Sequence, residues 1–204
     1  MICVNKILNK YSKIYKDTLI NNSFSSKDEM IYKYKKRLDE MYNSSVYQEH
    51  NVYPTMNVEL IYAVIAMCLE LKDEGLTDDE IINNVNFAFE KRRTKFKLLI
   101  KFIDLFPISY KIAKKWNLND HAKRIKDKSL NYDSFNVTNN QIEYKISKCM
   151  YVEIFKYFGI RKLCKIFCMT DEIAYSCLTK HVNFKRYSDL SNGKSCHDVI
   201  KKIK

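Results

Sequence analysis

Glycine and proline are scarce, with 3 Gly and 2 Pro in 204 residues. A sandwich or barrel needs such residues at its many corners, so their scarcity points to long helices. No apolar run approaches the ~20 residues a membrane-spanning helix requires. The start, Met1-Ile2-Cys3-Val4-Asn5-Lys6, lacks the sustained apolar stretch and small-residue cleavage site of a secretory leader. Among the 7 cysteines there is no CxxC pair, which leaves zinc-ribbon and thioredoxin-type sites without support. An odd thiol count without a leader gives a cytoplasmic protein with reduced cysteines as the expectation.

What is present suits a packed core: 46% of residues are hydrophobic and 13% aromatic. The formal net charge is +12 and the pI near 9.2. That excess raises nucleic acid or an anionic membrane as partners. The lysines, however, are scattered over every polar stretch. The densest cluster, Lys91-Arg92-Arg93 with Lys95 and Lys97, is one helix-face patch without a binding motif. Neither a nucleic-acid nor a membrane partner is therefore expected, and a small-molecule ligand is.

Ile7, Leu8, Tyr11, Ile14, Tyr15 and Leu19 recur at helical spacing over 6–21. The capping box from Ser26 to Glu29 opens a second helix running to about residue 43. A polar loop to Pro54 separates a helical extension, 1–50, from a main domain, 51–204. The stretch 57–74 is apolar almost all round, so it belongs at the centre of a helical layer. Gly75 caps it, and Thr77 to Glu80 forms the next capping box, for a helix to about Arg93. Further helical stretches cover 96–106, up to Pro107, and 108–117, with a polar break at Asn117-Leu118-Asn119-Asp120. From about Asn131 the period changes to two, around an Asn139-Asn140 turn, as in a hairpin. Helices over 149–158, capped by Gly159, and over 161–168 and 171–179 follow. A strand at 182–186, a turn at 191–193 and a closing strand at 195–203 complete an α+β fold. Its helical N-terminal half packs with a small antiparallel sheet and helices in the C-terminal third.

The chemistry-bearing side chains crowd into the last third. Cys168 precedes Thr170, a candidate N-cap, and Asp171, a first-turn acid. A thiol just ahead of a helix N-terminus is biased toward the nucleophilic thiolate, and Asp171 could pass a proton. Cys196 and Asp198 alternate with His197 on a strand, so the first two share a face and the histidine takes the other. A Cys–His dyad from adjacent strand residues is geometrically poor. Arg186 can meet a carboxylate through two N–H groups. His181 lies at a helix-to-strand junction, as cap or ligand contact. Cys149, Cys164 and Cys177 fit apolar faces. No cofactor is expected. A metal held by Cys168, Cys196 and Asp171 stays open, although the spacing matches no zinc pattern.

The order of these landmarks resembles the L-2-amino-thiazoline-4-carboxylic acid hydrolase family. The residues concerned are Cys149, Tyr151, Phe155, Gly159, Cys168-x-x-Asp171, Phe184-x-Arg186, Gly193 and Cys196, with the helix 57–74 upstream. The resemblance spans roughly 55–204. The family pattern sets an acid directly after the closing Cys, whereas here His197 intervenes and the acid is Asp198. It implies hydrolysis of a C–N bond in a cyclic amidine, giving a carbamoyl-cysteine. In that chemistry Cys168 would be the nucleophile, Asp171 the proton shuttle, Arg186 the carboxylate clamp and Cys196 a pocket wall or second thiol, with His181 and Asp198 near the substrate. Two other functions stand beside it. One is a non-catalytic protein of the same fold holding a small ligand or metal; the other is a basic nucleic-acid binder. The apolar helical half also offers a surface for a homodimer.

Overall fold

The computed structural model describes residues 4–20, 24 and 26–203, and the side chains of these apart from 4–7, 91–93 and 95. Cys3 and the side chains of Lys91, Arg92, Arg93 and Lys95 thus lie outside the described residues. In chain order the elements are α1 (Val4–Leu19), α2 (Lys27–Tyr42), α3 (Ser45–Glu49), α4 (Thr55–Asp73), α5 (Asp78–Ile103) and α6 (Ser109–Lys126). There follow β1 (Leu130–Val137), β2 (Gln141–Cys149), α7 (Met150–Tyr157), α8 (Lys165–Tyr175), β3 (Val182–Ser188) and β4 (Cys196–Lys202). Among the described residues, no helix is long and apolar enough to cross a membrane. The fold is α+β, helices first and a four-stranded antiparallel sheet after. The chain divides into two compact units. One is built by the chain up to Lys91 with Ile154–Ile166, the other by Arg92–Glu153 with Phe167–Lys204.

The first unit is helical. Along α4, Val58, Ile61 to Cys68 and Leu71 are fully buried, because a helix apolar on all sides can only be covered on all sides. The helices α1, α2 and α4 pack on one another, with Tyr15 stacked on Tyr34 at 4.6 Å between ring centres. Tyr42, Tyr47 and Tyr62 form an aromatic cluster that Phe158 closes edge-on. Ser26 Oγ accepts from the N–H of Glu29 at 3.3 Å, as the capping box requires. Gly75, at φ +87°, reverses the end of α4, and Thr77 and Glu80 exchange hydrogen bonds to start α5.

Three expected boundaries shift. The helix opened at Thr77 does not stop near Arg93 but runs on to Ile103 as one element. The polar stretch 117–120 does not break α6. Asn117 donates to the carbonyl of Ala113 and Asp120 pairs with Arg124 one turn on, so these polar side chains are satisfied within a helix. Polarity without Gly or Pro is a weak breaker. The segment 43–54 also contains α3, capped by Ser44.

The second unit holds the sheet, ordered β1-β2-β4-β3 with all neighbours antiparallel. Directly opposed residues share a face, so the register writes rows across the strands. One row is Val137–Ile142–Ile200–Phe184 and the next is Phe135–Tyr144–Asp198–Arg186. The first row joins Ile100, Tyr110, Ala174 and Leu178 in the core. The second brings charge to the same covered face.

Candidate active site

Arg186 is the organising side chain of that polar row. Its Nε donates to Asp198 Oδ1 at 2.7 Å and its Nη2 to Asp198 Oδ2 at 2.6 Å, a two-pronged pair directly across β3 and β4. Nη2 also donates to Asp171 Oδ2 at 3.1 Å, and Nη1 to the carbonyl of Cys168. Of the five N–H bonds of the guanidinium, one on Nη1 is left over by these contacts. Arg186 and Asp198 are inside, with side chains 7% and 1% exposed, while Asp171 keeps 50% of its side chain accessible. The group open to a ligand is therefore Asp171, and Arg186 is its fixed support.

This arrangement does not need the helix start expected at Thr170. Cys168, Thr170 and Asp171 all lie inside α8, which begins at Lys165 after a tight turn over Arg161–Cys164. No Gly or Pro interrupts 160–175, so nothing stops the helix from beginning earlier. Cys168 therefore stands inside the first turn of α8 rather than ahead of a helix start at Thr170. Its i,i+3 spacing to Asp171 instead puts both on the α8 face that meets Arg186.

The electrostatics follow from crowding. Although half of the Asp171 side chain is accessible, the protein packed around its carboxyl is the largest influence on it and raises its pKa. Arg186 opposes that shift, Asp198 adds to it, and the net direction is up. Burial lowers the Arg186 pKa, but the two carboxylates more than offset this and hold the guanidinium firmly charged. Burial, reinforced by Asp198 and Asp171, pushes the Tyr144 hydroxyl well above its ordinary range. Burial likewise pushes the Cys196 thiol up to about 12, although the N–H of Leu190 donates to its sulfur at 3.3 Å. Cys149 is pushed up to about 11 in the same way. Both lie within electrostatic reach of Cys168, and both are kept protonated at neutral pH.

Other sequence-predicted residues lie apart. His197 occupies the opposite sheet face from Cys196 and Asp198, with Nε2 2.8 Å from Glu143 Oε1 and its ring stacked on Tyr187. His181 sits at the start of β3, about 16 Å along the strand from Arg186 at ~3.3 Å per residue. Its backbone N–H donates to Asp104 and its carbonyl accepts from Ile203. Among the described residues, no three His, Cys, Asp or Glu side chains converge to hold a metal ion.

Several contributors gave no warning in sequence. Asp120, Arg124, Tyr132 and Tyr151 border the site from α6, β1 and α7. Asp120 Oδ1 accepts from Arg124 Nε at 3.2 Å, and burial pushes Tyr151 up to about 12 against the lowering pull of Arg124. His121 stacks on Phe135 at 3.8 Å, covering the β1 end of the polar row. Only the i,i+4 spacing of Asp120 and Arg124 carried any signal. Tyr175 packs its ring on Phe184 and lines an open apolar pocket between Ile100, Ile103, Ile112, Trp116 and Leu178. Burial, then the charge of Asp171, raises its hydroxyl pKa, so Tyr175 borders both the pocket and the acid.

Searches of curated proteins and of solved structures found no match. The sequence model of the L-2-amino-thiazoline-4-carboxylic acid hydrolase family matches residues 62–199. That span takes in α4 from Tyr62 onward together with Cys149, Cys168, Cys196, Asp171, Arg186 and Asp198. The chain belongs to the L-2-amino-thiazoline-4-carboxylic acid hydrolase family.

Proposed function

We propose that this hydrolase opens the ring of a 2-amino-thiazoline-4-carboxylate-like cyclic amidine at its C–N bond, using Cys168 and Asp171. The observation that carries this reading is the half-exposed Asp171 carboxyl, held by a buried guanidinium one helical turn from Cys168. An acid whose proton affinity is raised by burial can deliver a proton to a leaving ring nitrogen. The thiol of Cys168 adds to the amidine carbon, the C–N bond breaks, and the nitrogen leaves with the proton from Asp171. Water then adds to the same carbon with Asp171 as base, and the thiol departs, leaving a carbamoyl group on the substrate sulfur. Net consumption is one water.

Arg186 acts here as a positioning residue. Its fork is filled by Asp198, so a substrate carboxylate could take it in two-pronged fashion only by displacing that buried partner. Arg124, 23% exposed and beside Tyr151, is the cation better placed to receive the carboxylate. Cys196 contributes a protonated wall.

The accessibility of Asp171 also favours a second reading, in which its carboxylate activates water directly and Cys168 only lines the site. Mass-spectrometric turnover of 2-amino-thiazoline-4-carboxylate separates the two. Asp171→Asn should lower turnover by roughly 10²–10⁴-fold in either case. Loss of turnover in Cys168→Ala establishes the thiol route, and its retention establishes the water route. Full activity in Asp171→Asn would end both.

A further inference from the structure

We propose that the turn joining α5 to α6 is a docking surface for an anionic lipid surface. It presents an unusual amount of apolar side chain to solvent. Phe102, in the last turn of α5, is 58% exposed, and Leu105 at 46%, Phe106 at 44% and Ile108 at 54% follow in the connection to α6. The same surface continues along α6 through Ile112 to Trp116, which is 43% exposed. Scattered exposed leucines are ordinary, but a contiguous set of large residues marks a binding surface.

The fold holds these side chains outward. Asp104, in the same turn and 2% exposed, accepts four backbone hydrogen bonds, from Thr179, Lys180, His181 and Val182, at 2.8 to 3.1 Å. The turn is thereby tied to the start of β3 and cannot roll its phenylalanines inward. Fixing an apolar tip in this way costs conformational freedom and brings no burial within the chain.

Charge selects the occupant. Exposed lysines flank the tip, Lys101 on one side and Lys111 and Lys115 on the other. The acids between residues 97 and 126 are Asp104, buried by its four N–H partners, and Asp120, paired with Arg124. A second copy of the chain would bring these lysines against themselves across a two-fold axis, which like charge opposes. A bilayer surface rich in anionic headgroups accepts both features at once. The aromatic and aliphatic side chains enter the acyl boundary, and the lysines stay among the headgroups.

The test uses the full chain with phosphatidylcholine vesicles, with and without phosphatidylglycerol. Trp116 is the single tryptophan, so its emission reports on this surface alone. Flotation with the phosphatidylglycerol vesicles, a blue shift of Trp116 and release by added salt are the expected results. Phe102→Ser with Phe106→Ser should weaken partitioning at least about tenfold, and Lys101→Glu with Lys111→Glu should do the same. These positions are exposed, so circular dichroism should be unchanged. Absence of partitioning, or partitioning indifferent to both pairs, would overturn the proposal. A concentration-dependent dimer broken by the phenylalanine pair, in sedimentation without vesicles, would overturn it in favour of a second copy.

Discussion

Replacing Arg186 by Met removes the only cation that the described residues place against Asp198, and Asp198 is 1% exposed. A buried carboxylate left without its partner is costly. Breaking such a pair from one side typically destabilises by about 3–5 kcal/mol, because the remaining charge has lost water without gaining a partner. Arg186→Met also gives up the Cys168 carbonyl contact and the hold on Asp171, although the latter, half in solvent, adds little. Taking roughly 4 kcal/mol and about 2–4 °C per kcal/mol for a chain of this size, thermal unfolding should move down by about 8–16 °C. Arg186→Met with Asp198→Leu should recover most of the loss, since apolar residues of similar volume can replace a buried pair at little cost. Thermal unfolding by circular dichroism on the four members of this cycle gives the coupling. Turnover measured on the stable double variant then separates support from stability. It should stay low, because Asp171 has lost its anchor. An Arg186→Met protein within about 1 kcal/mol of the parent would refute the reasoning, as would a double variant no more stable than the single.

Other outcomes follow from the same contacts. Asp104→Ala strands four N–H groups at the start of β3 and should cost about 3 kcal/mol or more in urea denaturation, with Asp104→Asn intermediate. Asp104 and Asp171 should respond oppositely to pH. Burial raises the Asp104 pKa, but the four N–H groups outweigh it, so its folded value lies below the unfolded one. Its stabilisation is present above the unfolded value and is lost as pH falls through the folded one. Asp171 has a raised folded value, so its contribution is full below the unfolded carboxylate range and is lost as pH rises through the folded pKa. Denaturation of Asp171→Asn across pH should therefore lack that decline on the alkaline side of the carboxylate range. A decline of the parent's size in the variant would assign it elsewhere.

Local patterns determined much of the fold, because they act within a few residues. Helical periodicity marked α1, α2 and α4, and Gly75 and the Thr77 box marked their punctuation. Alternation around Asn139-Asn140 marked the β1–β2 hairpin. Strand alternation alone also separated Cys196 and Asp198 from His197, as the buried pair and the partly exposed ring show. The ordered landmarks of the last third were enough to indicate the family. The start of α8 was not legible, since Thr170-Asp171 forms an equally good local cap and only the turn after Gly159 fixes where the helix begins.

What tertiary structure decided is the partnership of charges. In sequence Arg186 is a strand cation open to any carboxylate, and nothing local distinguishes a substrate from Asp198. Antiparallel register puts Asp198 directly opposite, and packing removes water from both, so the internal pair fills the fork. Asp104 is a similar case, an unremarkable acid at a helix end until the start of β3 delivers four N–H groups to it. Sequence thus determined which side chains were available and which face each would take. Long-range pairing decided which charges were used up in holding the fold and left Asp171 open at its edge, because the energy of a charge depends on what replaces its water.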